Sequence, residues 1–139
     1  MSPKRSQLVK LVVMVKRKKG MSFEEFDKYW TEKHGPLLCS LPIFKEKTIK
    51  YNQMHLDVSK MREYGTENGF PIFKDFDGML EVYARSYQDF EAVFASDDYK
   101  NIIIPDEEKF TDREGIRMFF VQDEVHFDIN DPSDSSTPA

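Results

Sequence analysis

The chain has 139 residues, the length of one ordinary domain, and its 40% apolar and 14% aromatic content is that of a folded protein with enough rings to line a pocket. A net charge of −5, and the lack of any apolar run near the roughly 20 residues that span a bilayer, argue against nucleic-acid and membrane partners. The single cysteine, Cys39, excludes an internal disulfide and favours a reducing, cytoplasmic location.

The first elements predicted along the chain are a strand and a helix. Residues 8–15 read LVKLVVMV, a nearly continuous apolar run typical of a strand that is covered on both faces. Ser22 followed by Glu25 forms a capping box that starts a helix. The apolar side of this helix carries three aromatic residues at helical spacing: Phe23, Phe26 and Trp30. Because glycine permits a left-handed exit and proline cannot continue a helix, we expect the helix to end at residues 34–36.

The rest of the chain predicts three more strands and one more helix. In order they are a strand over 47–58, a loop over 59–76, a strand over 78–84, a helix that begins at Ser86, an irregular or partly helical segment over 96–112, and a last strand over 115–127. Residues 1–7 and 128–139 are expected to be a flexible N-terminus and a disordered tail on either side of one domain, 8–127.

This element order, β-α-β-β-α-β, is the split βαβ arrangement of ferredoxin-like α+β domains. Two helices cover only one face of a four-stranded sheet, yet the first strand is apolar towards both faces. The simplest cover for the second face is the same face of another copy of the chain. The sequence therefore predicts a symmetric homodimer in which each protomer keeps an apolar pocket.

A motif at the end of the first helix resembles the EthD family of dimeric α/β barrels. It comprises Phe26, the pair Tyr29-Trp30, and the run His34-Gly35-Pro36-Leu37. The resemblance extends over about residues 8–127, with the βαββαβ order in register, and the sequence looks most like a fungal branch of the family that acts in aromatic polyketide pathways. It implies cofactor-free decarboxylation or dehydration of an aromatic polyketide intermediate by proton transfer.

His34 is the first candidate for this chemistry, because histidine exchanges a proton near neutral pH and because it lies within the motif. At the negative end of a helix the protonated imidazole is favoured, so His34 is expected to be a proton donor at rest; a histidine that only contacts the last carbonyls is the alternative. His55 shares a strand face with Tyr51, and Asp112 lies in a segment that resembles the family's approach to the last strand. A surface histidine and a turn-forming aspartate are their alternatives.

Five aromatic residues are candidates for the substrate-binding wall, although each alone is more often part of a core: Tyr29, Trp30, Tyr51, Phe94 and Tyr99. The acidic run Asp106 to Glu108 is interpreted as a solvated surface. The histidines at positions 34, 55 and 126 lack metal-ligand spacing, and no phosphate loop or dinucleotide fingerprint is present. Neither a metal nor an organic cofactor is therefore expected.

Two other functions are compatible with the same fold, because fold does not determine function. The first is a cofactor-free monooxygenase or cyclase of the same pathways. The second is a barrel that binds a small molecule, for example in a stress response, without transforming it.

Overall fold

A four-stranded antiparallel sheet forms the centre of the fold. The computed structural model describes residues 2–69 and 75–133, apart from the side chain of Thr66. Its strands are β1 (Lys4–Arg5), β2 (Val9–Val15), β3 (Thr48–His55), β4 (Gly78–Ala84), β5 (Arg117–Val121) and β6 (Glu124–Val125). The sheet has the order β3-β4-β2-β5, and β1 and β6 form a separate two-stranded ladder. The predicted α+β class and βαββαβ order are confirmed, with the first and third strands of the unit adjacent at the centre.

Helices pack against one face of this sheet. The described α-helices are α1 (Phe23–Tyr29), α2 (Gly35–Ser40), α3 (Pro42–Lys47), α4 (Val58–Asn68), α5 (Tyr87–Ala95) and α6 (Ile104–Phe110). A π turn, Trp30–His34, joins α1 to α2, and a second π turn, Tyr99–Ile103, leads into α6. The predicted helix starts are confirmed by their caps. Ser22 Oγ accepts the backbone N–H of Glu25 at 3.1 Å, and Ser86 Oγ accepts that of Asp89 at 3.2 Å.

The prediction that the first helix ends at residues 34–36 is wrong. The backbone N–H of Gly35 donates to the carbonyl of Trp30, five residues earlier, so the π turn carries the helix on into α2. Gly35 has a φ of −57°, an ordinary right-handed value, and Pro36 stands in the first turn of α2, where its missing N–H leaves no bond unmade. A Cβ on Gly35 would lie 2.8 Å from Nε2 of Gln53, so this glycine serves close packing rather than a left-handed exit.

The predicted loop over 59–76 and the segment 96–112, predicted to be irregular or partly helical, both contain helices. The predicted loop over 59–76 begins with α4, where the side chain of Asp57 accepts the backbone N–H of Lys60 at 3.0 Å. Residues 70–74 of that loop lie outside the described residues. In the segment 96–112, Pro105 stands in the first turn of α6 and does not break a helix.

The predicted last strand, 115–127, is divided in two. Strand β5 stops at Val121, because the chain then turns to bring the carboxylate of Asp123 to Nζ of Lys10 and to the hydroxyl of Tyr83. Beyond this turn, β6 pairs with β1, an element that the sequence did not predict within residues 1–7. Residues 134–139 of the predicted tail lie outside the described residues.

The core between the helices and the sheet has two clusters. The larger joins α2, α3 and α5 to the sheet, and the smaller consists of Val15, Phe26, Trp30 and Phe110. Trp30 is only 1% exposed and lies directly on the backbone of Gly78, where an added Cβ would meet the indole at 2.5 Å. Glycine at the start of β4 therefore allows the indole to approach the sheet closely.

The face of the sheet turned away from these helices carries a charged network. Nζ of Lys10 lies 2.7 Å from Glu81 and 3.1 Å from Asp123. Burial lowers the pKa of Lys10, but the hydrogen bonds to Glu81, Asp123 and Tyr83 outweigh burial and raise it. The bond from Lys10 likewise lowers the pKa of Glu81. One face of β2 thus has a lysine near the start of the strand, with two carboxylates beside it.

Candidate functional site

A cavity of about 250 Å³ lies between the helix-covered face of the sheet and the helices above it. Its lining is mostly apolar, contributed by β2, β4, α3 and α5 among others, with a few polar side chains among them. An apolar enclosure with few, localised polar groups is typical of sites for small molecules. The polar lining residues are His34, Thr48, Tyr99, Glu107, Thr111 and Arg113.

His34, the first predicted catalytic residue, lines this cavity at the end of the π turn. The residue is 5% exposed, and its Nδ1 lies 2.8 Å from Oδ2 of Asp106. Its ring also packs on Phe110, with the centroids 4.8 Å apart. Because the helix continues to Ser40, His34 does not stand at a helix C-terminus, and the expected dipole effect on its charge does not apply.

Asp106 holds the imidazole of His34 from α6. It is 5% exposed, and its Oδ1 accepts the hydroxyl of Tyr29 at 2.5 Å. Burial first, and then Asp106 itself, raise the pKa of Tyr29 to about 12, so Tyr29 remains protonated and donates to the carboxylate. A carboxylate is an acceptor only, so we assign the proton of the His34–Asp106 bond to Nδ1. Nε2 of His34 is then the nitrogen with a free lone pair.

Glu107, the next residue of α6, forms a second polar group in the cavity. Its Oε1 accepts the hydroxyl of Tyr99 at 3.0 Å, and its Oε2 accepts Nε of Arg113 at 3.1 Å. Burial raises the pKa of Glu107 despite these bonds and despite the nearby charges of Arg113 and His34, which lower it. Asp106 is therefore a buried partner of the site and Glu107 a partly buried one, and the interpretation of the run Asp106 to Glu108 as a solvated surface is wrong for both.

Helical spacing is the signal that would have identified these two carboxylates. Ile103 and Phe110 are fully buried, and positions 106 and 107 lie between them at spacings of three and four residues. With Pro105 taken as a helix start, both carboxylates fall on the face that carries these apolar residues.

The five predicted wall residues divide into two groups. Trp30, Phe94 and Tyr99 line the cavity. Tyr29 and Tyr51 do not; Tyr29 reaches Asp106 from behind His34, and Tyr51 packs edge-on against the ring of Phe44.

The two other catalytic candidates lie apart from His34. His55 is outside the cavity lining, on the ring of Trp30, where its Nδ1 lies 2.6 Å from Asp27 Oδ1 and its Nε2 lies 2.9 Å from Gln53 Oε1. Asp112 precedes a short 3₁₀ turn, and its backbone N–H donates to the carbonyl of Lys16. It lies in a surface depression that also contains the exposed residues Lys18 and Lys19, and it does not line the cavity. The geometry thus brings His34 together with Asp106, and not with His55 or Asp112.

The described part of the chain shows neither a cluster of metal ligands nor a helix suited to a membrane. Across residues 2–69 and 75–133, no three His, Cys, Asp or Glu side chains come together as metal ligands. No helix within the same ranges combines the length and the apolar content that crossing a bilayer requires.

Comparison with known proteins places this site within a matched region. The model of the EthD domain matches residues 18–114, an interval that contains His34, Asp106, Glu107 and Arg113. A protein of Metarhizium robertsii, named conidial pigment biosynthesis dehydratase EthD, is 30% identical over 116 residues. The match covers 80% of this chain and 79% of that protein.

Solved structures share the fold at low sequence identity. An EthD family protein from Bacillus halodurans has a TM-score of 0.59 at 17% identity, over 84% of this chain and 98% of that one. A dimeric protein of unknown function with a ferredoxin-like fold, from Bacteroides fragilis, has a TM-score of 0.56 at 11% identity, over 88% and 100% of the two chains. At such identities the likeness concerns the fold alone.

Proposed function

Because the chain belongs to the EthD family, we propose that it is a cofactor-free lyase that removes water from a small aromatic polyketide intermediate by acid–base catalysis. The observation that carries this proposal is that His34, at the wall of an apolar cavity, is held at Nδ1 by the buried carboxylate of Asp106. The name of the Metarhizium relative, a dehydratase of pigment biosynthesis, favours loss of water over loss of carbon dioxide.

Dehydration of a β-hydroxy ketone requires one group that takes a proton from the carbon next to the carbonyl. Nε2 of His34 is suited to this, because Asp106 occupies Nδ1 and leaves the second nitrogen unprotonated. As His34 becomes an imidazolium, the carboxylate of Asp106 stabilises the new positive charge. Apolar walls exclude water from this transfer, which strengthens each electrostatic interaction in the cavity.

The same histidine can complete the reaction. The carbon–hydrogen electron pair forms the enolate, the enolate forms the new double bond, and the hydroxyl leaves from the neighbouring carbon. The imidazolium of His34 returns its proton to this hydroxyl, which departs as water, and the neutral histidine is restored. No oxidant, reductant or metal enters the balance of this step.

A direct test uses 3-hydroxy-1-tetralone, a flat bicyclic β-hydroxy ketone. The protein is expected to remove one water from it, and the product then aromatises to 1-naphthol, which is followed by absorbance and mass spectrometry against an enzyme-free control. Gain of an oxygen atom would instead assign a monooxygenase. Loss of carbon dioxide from the 2-carboxylate derivative, without loss of water, would assign a decarboxylase. Binding with no change of mass would assign a carrier and contradict the proposal.

We also propose that the protein works as a homodimer joined through the sheet faces that point away from the helices. Phe119, Val12 and Met14 lie on this face, and Phe119 is 47% exposed in the single chain. The charges of Lys10 and Glu81 satisfy each other there, which lowers the cost of covering them. The Bacteroides structure with the same fold is described as dimeric.

The dimer is tested by sedimentation velocity. We expect the native chain to sediment at twice its mass of 16.4 kDa, and Phe119→Asp to sediment as a monomer, because a buried charge without a partner opposes association. Tyr64→Asp is the matched control, since Tyr64 is a similarly exposed aromatic residue, 55%, on α4 rather than on the sheet. A native chain that sediments as a monomer would contradict this arrangement.

A further inference from the structure

Arg113 stands at the mouth of the cavity. Its side chain is 44% exposed, yet it contributes to the cavity lining together with Ile116 and Met118, the latter also exposed at 54%. Helix α6 and the following 3₁₀ turn, Arg113–Gly115, bring it there from the same segment as the carboxylates. A guanidinium thus borders an otherwise mostly apolar enclosure, at the point where a ligand would enter.

The guanidinium of Arg113 is oriented by one hydrogen bond, and the described residues leave the rest of its hydrogen-bonding capacity unused. Its Nε donates to Oε2 of Glu107 at 3.1 Å, and Glu107 is held in turn by the hydroxyl of Tyr99. Within the described ranges, neither Nη1 nor Nη2 of Arg113 has a hydrogen-bond partner. Arg5 and Arg17 differ in this respect, because an Nη atom of each lies within ion-pair distance of a carboxylate.

The free Nη1 and Nη2 atoms of a fixed guanidinium each direct one N–H in parallel in its plane, and this pair matches the two oxygens of a carboxylate. Building on the function proposed above, we propose that Arg113 binds a carboxylate of the substrate at the cavity mouth, while the ring system of the substrate enters the apolar part towards His34. Arg113 then selects an acidic aromatic substrate, and Glu107 and Tyr99 act as positioning residues that hold the guanidinium plane. The carboxylate remains near solvent, where it needs little desolvation.

The proposal is tested by calorimetric titration with two flat probes of similar shape, 2-naphthoate and the neutral 2-acetonaphthone. Arg113→Met keeps the length of the side chain and removes the charge. It is expected to weaken 2-naphthoate binding about tenfold or more, because a charge-assisted bond is lost. Binding of 2-acetonaphthone is expected to stay within about twofold, since this probe has no carboxylate. The 2-naphthoate affinity of Arg113→Lys should lie between those of the native protein and Arg113→Met, because lysine keeps the charge without the planar pair of donors.

Arg85→Met is the matched control, because Arg85 is an exposed arginine outside the cavity lining. It should leave both affinities unchanged. Equal affinity for 2-naphthoate in the native protein and in Arg113→Met overturns the proposal. An equal loss of affinity for 2-naphthoate and 2-acetonaphthone also overturns it, because such a loss would reflect a changed cavity shape.

These titrations measure binding and need no turnover. The carboxylate site and the lyase function can therefore be contradicted independently of each other. Binding of 2-naphthoate that depends on Arg113, in a protein that dehydrates nothing, supports the carboxylate site and discards the lyase. Dehydration of a carboxylated β-hydroxy ketone with the same KM in Arg113→Met keeps the lyase and discards the carboxylate site.

Discussion

Replacement of His34 by alanine is expected to lower kcat/KM for dehydration by about 10²–10⁴, the range for loss of a general acid–base group. No other histidine lines the cavity among the described residues, so no neighbouring imidazole substitutes for it. Activity is measured on 3-hydroxy-1-tetralone, and circular dichroism verifies that the variant is folded. His126→Ala is the control, because the side chain of His126 is 69% exposed, lies just after β6 and outside the cavity lining, and its loss should leave kcat/KM unchanged. Native turnover in His34→Ala would contradict the assigned role.

Asp106→Asn keeps the imidazole of His34 but changes the group that sets its tautomer, so it tests the role of Asp106 by itself. The hydroxyl of Tyr29 donates to Oδ1, so the amide nitrogen of the asparagine would face His34 in place of Oδ2. An N–H at that position favours the other tautomer, with the proton on Nε2 and no base directed at the substrate. The equivalent change in a Ser-His-Asp triad lowers kcat by about 10⁴, and we expect a loss of that kind here with the fold retained. Full activity would show that Asp106 does not set the tautomer.

Replacement of Trp30 by alanine is expected to lower the free energy of unfolding by about 3–5 kcal/mol. The indole is 1% exposed and packs on the ring of Phe26, with centroids 5.5 Å apart, and on the backbone of Gly78. Its removal leaves a cavity beside a glycine, which has no side chain to fill the space. Urea unfolding at one fixed protein concentration measures the change, since association contributes to apparent stability.

Tyr64→Ala provides the comparison for this measurement. Tyr64 is a large aromatic residue, 55% exposed on α4, and its loss should change the free energy of unfolding by no more than about 0.5 kcal/mol. If Trp30→Ala changed the free energy as little as Tyr64→Ala, the smaller core cluster would not contribute to stability as described.

Local sequence patterns determined most of the secondary structure. The strand over 8–15 and the strand over 78–84 follow from runs of apolar and β-branched residues, and the helix starts at Ser22 and Ser86 follow from side-chain caps. Each of these signals acts within a few residues, so it can be recognised without knowledge of the rest of the chain.

The prediction failed where distant packing overrides a local signal. Gly35 and Pro36 usually end a helix, but the chain continues through a π turn because Gly35 packs against the side chain of Gln53 on β3. In the same way, the last strand stops at Val121 because Asp123 turns to meet Lys10 and Tyr83. Both contacts join residues that are far apart in the sequence, so no pattern among neighbouring residues indicates them.

The sequence by itself determined the family motif, the order of the strands and the position of His34 within the motif. Only the tertiary structure decided which acid meets that histidine, selecting Asp106 and leaving Asp112 and His55 outside the cavity. The reason is physical: 72 residues separate His34 from Asp106, and the docking of α6 beside α1 brings them together. Local propensity specifies each helix, whereas the burial of Phe26 against Phe110 specifies where the two helices meet.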